Sequence, residues 1–301
     1  MDKNLSAFLA IAKEGNLTAA ADKIGLTQPT LTKRLSNLEH ELGSILFDRH
    51  RRGMSLTPAG KAFYRRALKI EQELLQAKEE LRGLENAGLD VIRIGAGPLF
   101  HQKYVGPVFS KLLLEFPALR LDLSVSNNEV NLPRLLRGDL DIVLGAIEPT
   151  GPDGAIKSIH LTSLEHGLVL APDHKLGQLE FVYPEQLRDL IWAIYGDDEI
   201  TEEPLNQYYL RNGLGSPHIA IHTASFATGL GLVRDSGFCM MAPVQIASVI
   251  EQSGLRVVRA NPPLTNLTSG AYVRPSSLNF PAISRFLDLI AETFEAEAAH
   301  G

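Results

Sequence analysis

The sequence predicts an α/β protein in three consecutive parts: a small helical module with a β-hairpin, one long helix, and a two-lobed α/β body. Three observations carry that reading. The chain of 301 residues has a net charge of −6, yet residues 1–69 hold 12 Lys and Arg against 6 Asp and Glu, while the remainder holds 17 against 29. Apolar residues recur at helical spacing as far as Leu84, the last stretch as a heptad seam. After Asp90 the texture changes to short β-branched runs alternating with helical segments. A basic end on an acidic chain implies that one part meets an anion while the rest keeps the molecule soluble. With 45% hydrophobic and 21% charged residues, the chain has enough apolar material for about two domains of core and is no disordered tail.

Leu5, Phe8, Leu9 and Ala12 mark a first helix ending at Gly15, and Leu17, Ala20, Ala21 and Ile24 a second stopped by Gly25. Thr27 is placed to cap a third, with Pro29 in the first turn, where a missing N–H costs nothing. Leu31, Leu35, Leu38 and Leu42 give this helix its buried stripe. Two helices across a three-residue turn predict a helix-turn-helix, whose second helix enters the major groove of DNA. At about 100° per residue, Pro29, Lys33, Ser36 and Asn37 lie opposite the leucines, flanked by Thr30 and Thr32. Gln28 has the groups to pair bidentately with adenine, and Lys33 to reach guanine or phosphate. A merely solvated face shows the same pattern, but the basic stretch downstream favours DNA. In ILFDRHRRGMSLTPAG, Arg49, Arg51 and Arg52 precede Gly53 and a β-type segment at 54–56, a hairpin with a basic tip able to reach phosphate or a minor groove.

Thr57 and Pro58 then start a long helix in which Phe63, Ala67, Ile70, Leu74, Ala77, Leu81 and Leu84 form a seam of about three heptads. Its charged flanks suit a solvent-exposed dimer helix; packing against the protein's own body is the alternative. From Asp90, DVIRIGAG, LRLDLSVS and LDIVLGAI read as strands separated by helices at 105–115 and 132–137. EHGLVLAP, LIWAIYG, HIAIHT and FCMMAP repeat the alternation, with helices at 202–212 and 224–235. This order predicts a parallel sheet covered by helices on both faces. A last strand, SGAYVR, and a helix from Leu278 to about Ala296 return the chain to the first unit. The result is two lobes, at about 89–162 with 268–301 and at about 163–267, joined by crossing strands over a cleft.

The single cysteine, Cys239, lies in the apolar run GFCMMAP, which supports no disulfide framework and reads as a buried, inert thiol in a reducing compartment, the cytoplasm. The N-terminal stretch MDKNLSAFLAIAKEGN fits neither a signal peptide nor a membrane span.

NLTAAADKIGLTQPTLTKRLSNLEHELGSILFDRHRRGMSLTPAG resembles the winged helix-turn-helix of the LysR-type transcriptional regulators nearly element for element. The matching groups are Ala20-Ala21, Gln28-Pro29, Leu38-Glu39, Leu42-Gly43, Leu46-Phe47 and Leu56-Thr57-Pro58-Ala59-Gly60. The order of parts extends the resemblance from end to end. It implies a DNA-binding domain at 1–58, a dimerising linker helix at 59–88, and an effector-binding domain of type II periplasmic-binding-protein kind at 89–301. It implies three partners: a double-stranded DNA operator, a small-molecule effector, and further copies of the chain in a homodimer or homotetramer. No cofactor, metal or membrane is implied. The residues expected at DNA are Thr18, Thr27, Gln28, Pro29, Thr30, Thr32, Lys33, Arg34, Arg51 and Arg52. Those expected around the effector are Leu99, Phe100 and His101, then Asn127, Asn128 and Glu129, then Ala146, Ile147 and Glu148, with Gly196, Thr201 and Thr223 from the second lobe. The chain has Pro98-Leu99-Phe100 where a hydroxyl residue is common in the family, and no arginine at any of these places. That departure speaks against a simple carboxylate, leaving helix N-termini as the way to hold an anion.

Two other readings are weaker. An enzyme lacks its signatures: GAGPLF has Phe100 where the dinucleotide fingerprint needs glycine, and there is no P-loop and no G-x-S-x-G. His160 and His166 have no cysteine nearby and do not read as a metal site. A solute-binding sensor without specific DNA readout suits the chain from Asp90 onward but leaves the basic module without a role.

Overall fold

A computed structural model describes residues 2–50, 53–84, 89–147, 155–196 and 199–300, with the side chains of 82–84, 199–201 and 298–300 outside the description. Two compact units divide the chain, Met1–Leu81 and Arg82–Gly301. Among the described residues no helix is long and apolar enough to cross a membrane.

In the first unit, α1 (Lys3–Glu14), α2 (Leu17–Lys23) and α3 (Gln28–Leu42) precede an antiparallel ribbon of β1 (Phe47–His50) and β2 (Gly53–Leu56), then α4 (Pro58–Leu84). Local chemistry starts each helix: Asp2 Oδ1 accepts from Asn4 N at 2.8 Å, Asn16 Oδ1 from Thr18 N at 2.8 Å, and Thr57 Oγ1 from Gly60 N at 2.9 Å. Each such cap contributes about 1 kcal/mol. The fully buried Phe8 ring lies 5.4 Å from Phe47 and 5.0 Å from Phe63, so ribbon and α4 close on one aromatic ring of α1. Gly60 is fixed by space, since a Cβ there would lie 2.0 Å from the Leu46 carbonyl oxygen.

Three expectations need correction here. Leu31, Leu35 and Leu38 are buried, but Leu42 is 41% exposed: it sits in the last turn of α3, where Gly43 turns the chain away in a left-handed conformation. The α2–α3 connection is 24–27, one residue longer than expected, because Ile24 has already left helical geometry and caps α2. The α4 seam is not uniform along its length. Phe63 and Ala67 are absorbed into the first unit's core, while Ile70 and Leu81 stay 50% and 63% exposed.

The second unit begins with β3 (Val91–Ala96), a helical turn at 100–104, α5 (Val105–Glu115), β4 (Arg120–Val125), α6 (Asn128–Arg137) and β5 (Ile142–Ala146). The chain leaves this lobe along β6 (Lys157–Leu170). It then forms β7 (Phe181–Val182), β8 (Ile191–Tyr195), α7 (Glu199–Arg211), β9 (His218–Thr223), α8 (Phe226–Ser236), β10 (Cys239–Pro243), α9 (Ala247–Glu251) and β11 (Arg256–Ala260), and returns along β12 (Asn266–Val273) to α10 (Pro281–His300). Strand order is β4-β3-β5-β12-β6-β10-β8-β9, with β11 beside β6 and β7.

Along this order the sheet is parallel at its two ends, β4-β3-β5 and β10-β8-β9, and β11 also runs parallel to β7 beside it. Its centre is antiparallel, because a strand leaving a lobe and a strand returning to it run in opposite directions. β6 is accordingly 14 residues long, reaching well upstream of the expected segment; 157–165 pairs with β12 and 166–170 with β10 and β11. α6 starts at Asn128 and not at Leu132, since Asn127 Oδ1 caps Val130 N at 3.1 Å and the polar first turn hides the apolar period. The last helix starts at Pro281, after a 3₁₀ turn at 275–279.

Just past β12, Arg274 is 2% exposed and donates to the Leu135 and Leu140 carbonyls; its Nη2 lies 3.4 Å from Asp141 Oδ1, and Asp141 Oδ2 accepts from Arg93 N at 2.8 Å. One buried guanidinium thus ties the returning chain to α6 and the entry of β5, while its carboxylate partner reaches β3. Removing the guanidinium takes a buried cation from the Leu135 and Leu140 carbonyls and from Asp141, which keeps its contacts with Arg93, so Arg274→Met should destabilise the second unit by about 3 kcal/mol. Trp192, the sole tryptophan, is fully buried in this unit, so urea unfolding followed by its fluorescence reads that loss directly. A change under about 1 kcal/mol is inconsistent with the buried pair acting as a tether.

Candidate nucleic-acid interface and ligand cleft

The outer side of α3 presents Gln28, Pro29, Thr32, Lys33, Ser36 and Asn37 around one shallow depression, opposite the buried Leu31 and Leu35. Gln28 and Lys33 are both exposed on this side. Thr27 and Thr30 play a different part: their hydroxyls lie 2.8 Å apart, and Thr27 Oγ1 accepts from Thr30 N at 3.4 Å, so both shape the start of the helix. Thr18 is exposed on α2 with its N–H held by Asn16, and Arg34 is partly buried. Glu39 reaches from α3 to accept from Leu46 N at 2.8 Å, fixing the ribbon's entry relative to the helix. His50 Nε2 and Ser55 Oγ, 2.9 Å apart, pin the far end of the ribbon. Arg49 is exposed on β1; Arg51 and Arg52 lie outside the described residues.

A cavity of about 930 Å³ opens between the lobes of the second unit. Leu99, Phe100, Asn127, Asn128, Glu129 and Ala146 line it as the sequence suggests, joined by Leu144, Leu164, Ile194, Phe226, Met241 and Leu267, so its walls are largely apolar. His101, Ile147, Gly196 and Thr223 do not line it. The segment after β3 is helical, with His101 N donating to Gly97 O at 3.0 Å, which carries His101 off the cavity wall. Gly196 N donates to Thr223 O at 3.0 Å and Thr223 Oγ1 accepts from Ser225 N at 3.1 Å, so this pair locks the ends of β8 and β9 together. Glu148 and the side chain of Thr201 lie outside the described residues. Asn128 touches the cavity, but its Nδ2 is committed to Ala146 O at 2.6 Å and its Oδ1 fills the place of a Gly145 side chain.

Sequence reasoning missed the polar pair on the crossing strands. His166 lines the cavity with Nδ1 2.6 Å from Thr265 Oγ1, and burial pushes its imidazole pKa down to about 4, so the ring is neutral around pH 7. Period-two alternation placed His166 on the face of Leu164, a usable signal. His160 is exposed elsewhere on β6, and among the described residues no cluster of three or more His, Cys, Asp or Glu could hold a metal. The Cys239 Sγ lies 3.4 Å from Ile191 O, and burial pushes the thiol pKa up, as befits an inert side chain.

Residues 3–61 match the family model of bacterial regulatory helix-turn-helix proteins of the lysR family, and residues 85–295 match that of the LysR substrate binding domain. The chain is 25% identical to the HTH-type transcriptional regulator YybE of Bacillus subtilis, over 97% of this chain and 96% of that one. Among solved structures it resembles a cysteine-substituted, full-length OxyR from Pseudomonas aeruginosa, with a TM-score of 0.65 at 20% identity over 96% of both chains. It also resembles full-length CbnR complexed with its target DNA, with a TM-score of 0.53 at 18% identity over 98% of this chain and 100% of that one.

Proposed function

This chain belongs to the LysR family of bacterial transcriptional regulators, and from that premise we propose how its parts divide the work. It is a DNA-binding regulator carrying an effector-binding domain, and not an enzyme. In our reading residues 1–58 dock on a double-stranded operator, 59–88 join two copies of the chain in a dimer or tetramer, and 89–301 take a small-molecule effector between the lobes, all in the cytoplasm. The observation that carries the DNA assignment is the outer face of α3: polar, exposed, and set rigidly by three leucines buried on the other side. Gln28 and Lys33 read base edges from the N-terminal half of the helix, while Arg51 and Arg52 meet phosphate. The CbnR complex with target DNA, built on the same fold, supports this use of the module. Effector binding biases the arrangement of the reading heads only by the difference in its affinity for two states, typically about 1–3 kcal/mol.

Gln28→Ala and Lys33→Ala should each lose about 1–3 kcal/mol of binding to an operator selected from random duplexes, with thermal stability close to wild type. Unchanged operator affinity in both variants would overturn the assignment. Arg51→Ala and Arg52→Ala should instead weaken all sequences alike and flatten the salt dependence.

Ile70 and Leu81 are large, exposed and on the unburied part of the α4 seam. Replacing both with Asp should dissociate the dimer in light scattering while sparing the fold, since neither is buried in its own unit. An intact oligomer in this variant places the contact between copies elsewhere.

A further inference from the structure

The cleft constrains the chemistry of its occupant. No Lys or Arg lines it among the described residues, and Glu129 is the charged side chain on its wall. The N-terminus of α6 is disfavoured for an anion, since Asn127 Oδ1 already occupies Val130 N and the Glu129 carboxylate sits in the first turn. A carboxylate or phosphate entering this cavity would shed its hydration with no cation to replace it. Most polar side chains in reach serve the protein: Ser269 Oγ donates to Gly145 O at 2.8 Å and Asn128 Nδ2 to Ala146 O at 2.6 Å. His166 is different. Its Nδ1 is engaged by Thr265, which is only 9% exposed, while Nε2 of the same cavity-lining ring has no protein partner among the described residues.

We propose that the cleft selects an uncharged, largely apolar molecule bearing a hydroxyl group, and that His166, held by Thr265, is the residue that recognises the hydroxyl. The inference rests on reading the cleft as the effector site and adds the chemical class of the effector. A hydroxyl both donates and accepts, so it complements Nε2 in whichever tautomer Thr265 fixes. Burial keeps the ring neutral, so it offers no charge to attract a carboxylate. A cavity of about 930 Å³ walled by Leu99, Phe100, Ile194 and Phe226 accommodates a fused-ring body.

Calorimetric titration of the full chain with 2-naphthol and 2-naphthoate at pH 7 tests the assignment, because the two probes share one ring system and differ in the group that meets Nε2. 2-Naphthol should bind at least about tenfold tighter than 2-naphthoate, and His166→Leu should remove that preference by weakening 2-naphthol alone. Trp192 fluorescence monitors whether the variant folds. Should it not fold, Thr265→Val carries the same comparison, since it frees the ring and should cut the preference severalfold. The proposal falls if 2-naphthoate binds as tightly as 2-naphthol, if 2-naphthol does not bind, or if the preference survives in the folded variants. Sequence-selective DNA binding measured on the same samples keeps two failures apart: its absence overturns the regulator reading, whereas preference for 2-naphthoate overturns the hydroxyl assignment alone.

Discussion

The antiparallel pairing of β6 with β12 is the constraint on which the second unit depends. Both strands pass between the lobes, so their ladder is at once the connection, the floor of the cleft and the seam at which the two parallel strand groups meet. The register runs from Asn266 opposite Glu165 to Val273 opposite Lys157, with an irregularity at Ser269/Gly270. At that point Gly270 tolerates no side chain, because a Cβ would lie 2.0 Å from the Ile159 carbonyl oxygen. Ser269, its neighbour, is fully buried and hydrogen-bonded to Gly145 at the end of β5. Strand register and the Ser269 hydrogen bond together therefore set the distance between the floor of the cavity and the first lobe. Arg274, immediately after β12, clamps the same returning chain to Asp141 and the α6–β5 connection.

A different economy governs the first unit. A small unit buries a smaller share of its surface than a large one and has little stability to spare, so each local device counts. Phe8 gathers α1, the ribbon and α4 around one ring, and side-chain caps satisfy the starts of successive helices. Because Leu31, Leu35 and Leu38 fix α3 from behind, its outer face carries no burden of folding. Side chains there are free to be chosen for what they touch outside the protein. α4 shows the same division along its length, its first turns built into the unit and its later apolar residues left uncovered.

How much of the structure was legible in the sequence depends on how local each feature is. Caps, the left-handed glycines and the leucine stripe depend on residues within a few positions of one another, and the first unit was readable almost throughout. Leu42 escaped because periodicity cannot say where a packing partner ends. The parallel strand groups were also visible, as runs of β-branched residues between helices. The antiparallel centre was not, since pairing between strands about a hundred residues apart leaves no mark on either strand's composition. For the same reason Asn128, Leu99 and Phe100 were expected at the cleft through the family resemblance, whereas strand alternation marks only the face on which His166 lies and nothing local joins it to Thr265. They are separated by 99 residues and meet only because β6 and the entry to β12 run side by side.

That late-meeting pair also bears on how a bound molecule reaches beyond its cleft. His166 lies on β6 where its pairing passes from β12 to β10, and Thr265 just ahead of β12, so a ligand held there touches the strands shared by both lobes. Contacts made to a single lobe bind equally well whether the lobes are closed or apart, and shift nothing. Contacts spanning Leu99 and Phe100 on one side and Ile194 and Phe226 on the other depend on the separation of the lobes, and apolar burial at about 25 cal/mol per Å² changes steeply with it. In the proposed reading the polar contact at the floor therefore chooses which molecule enters. The apolar walls, not the hydrogen bond, supply the difference in affinity that a regulator needs.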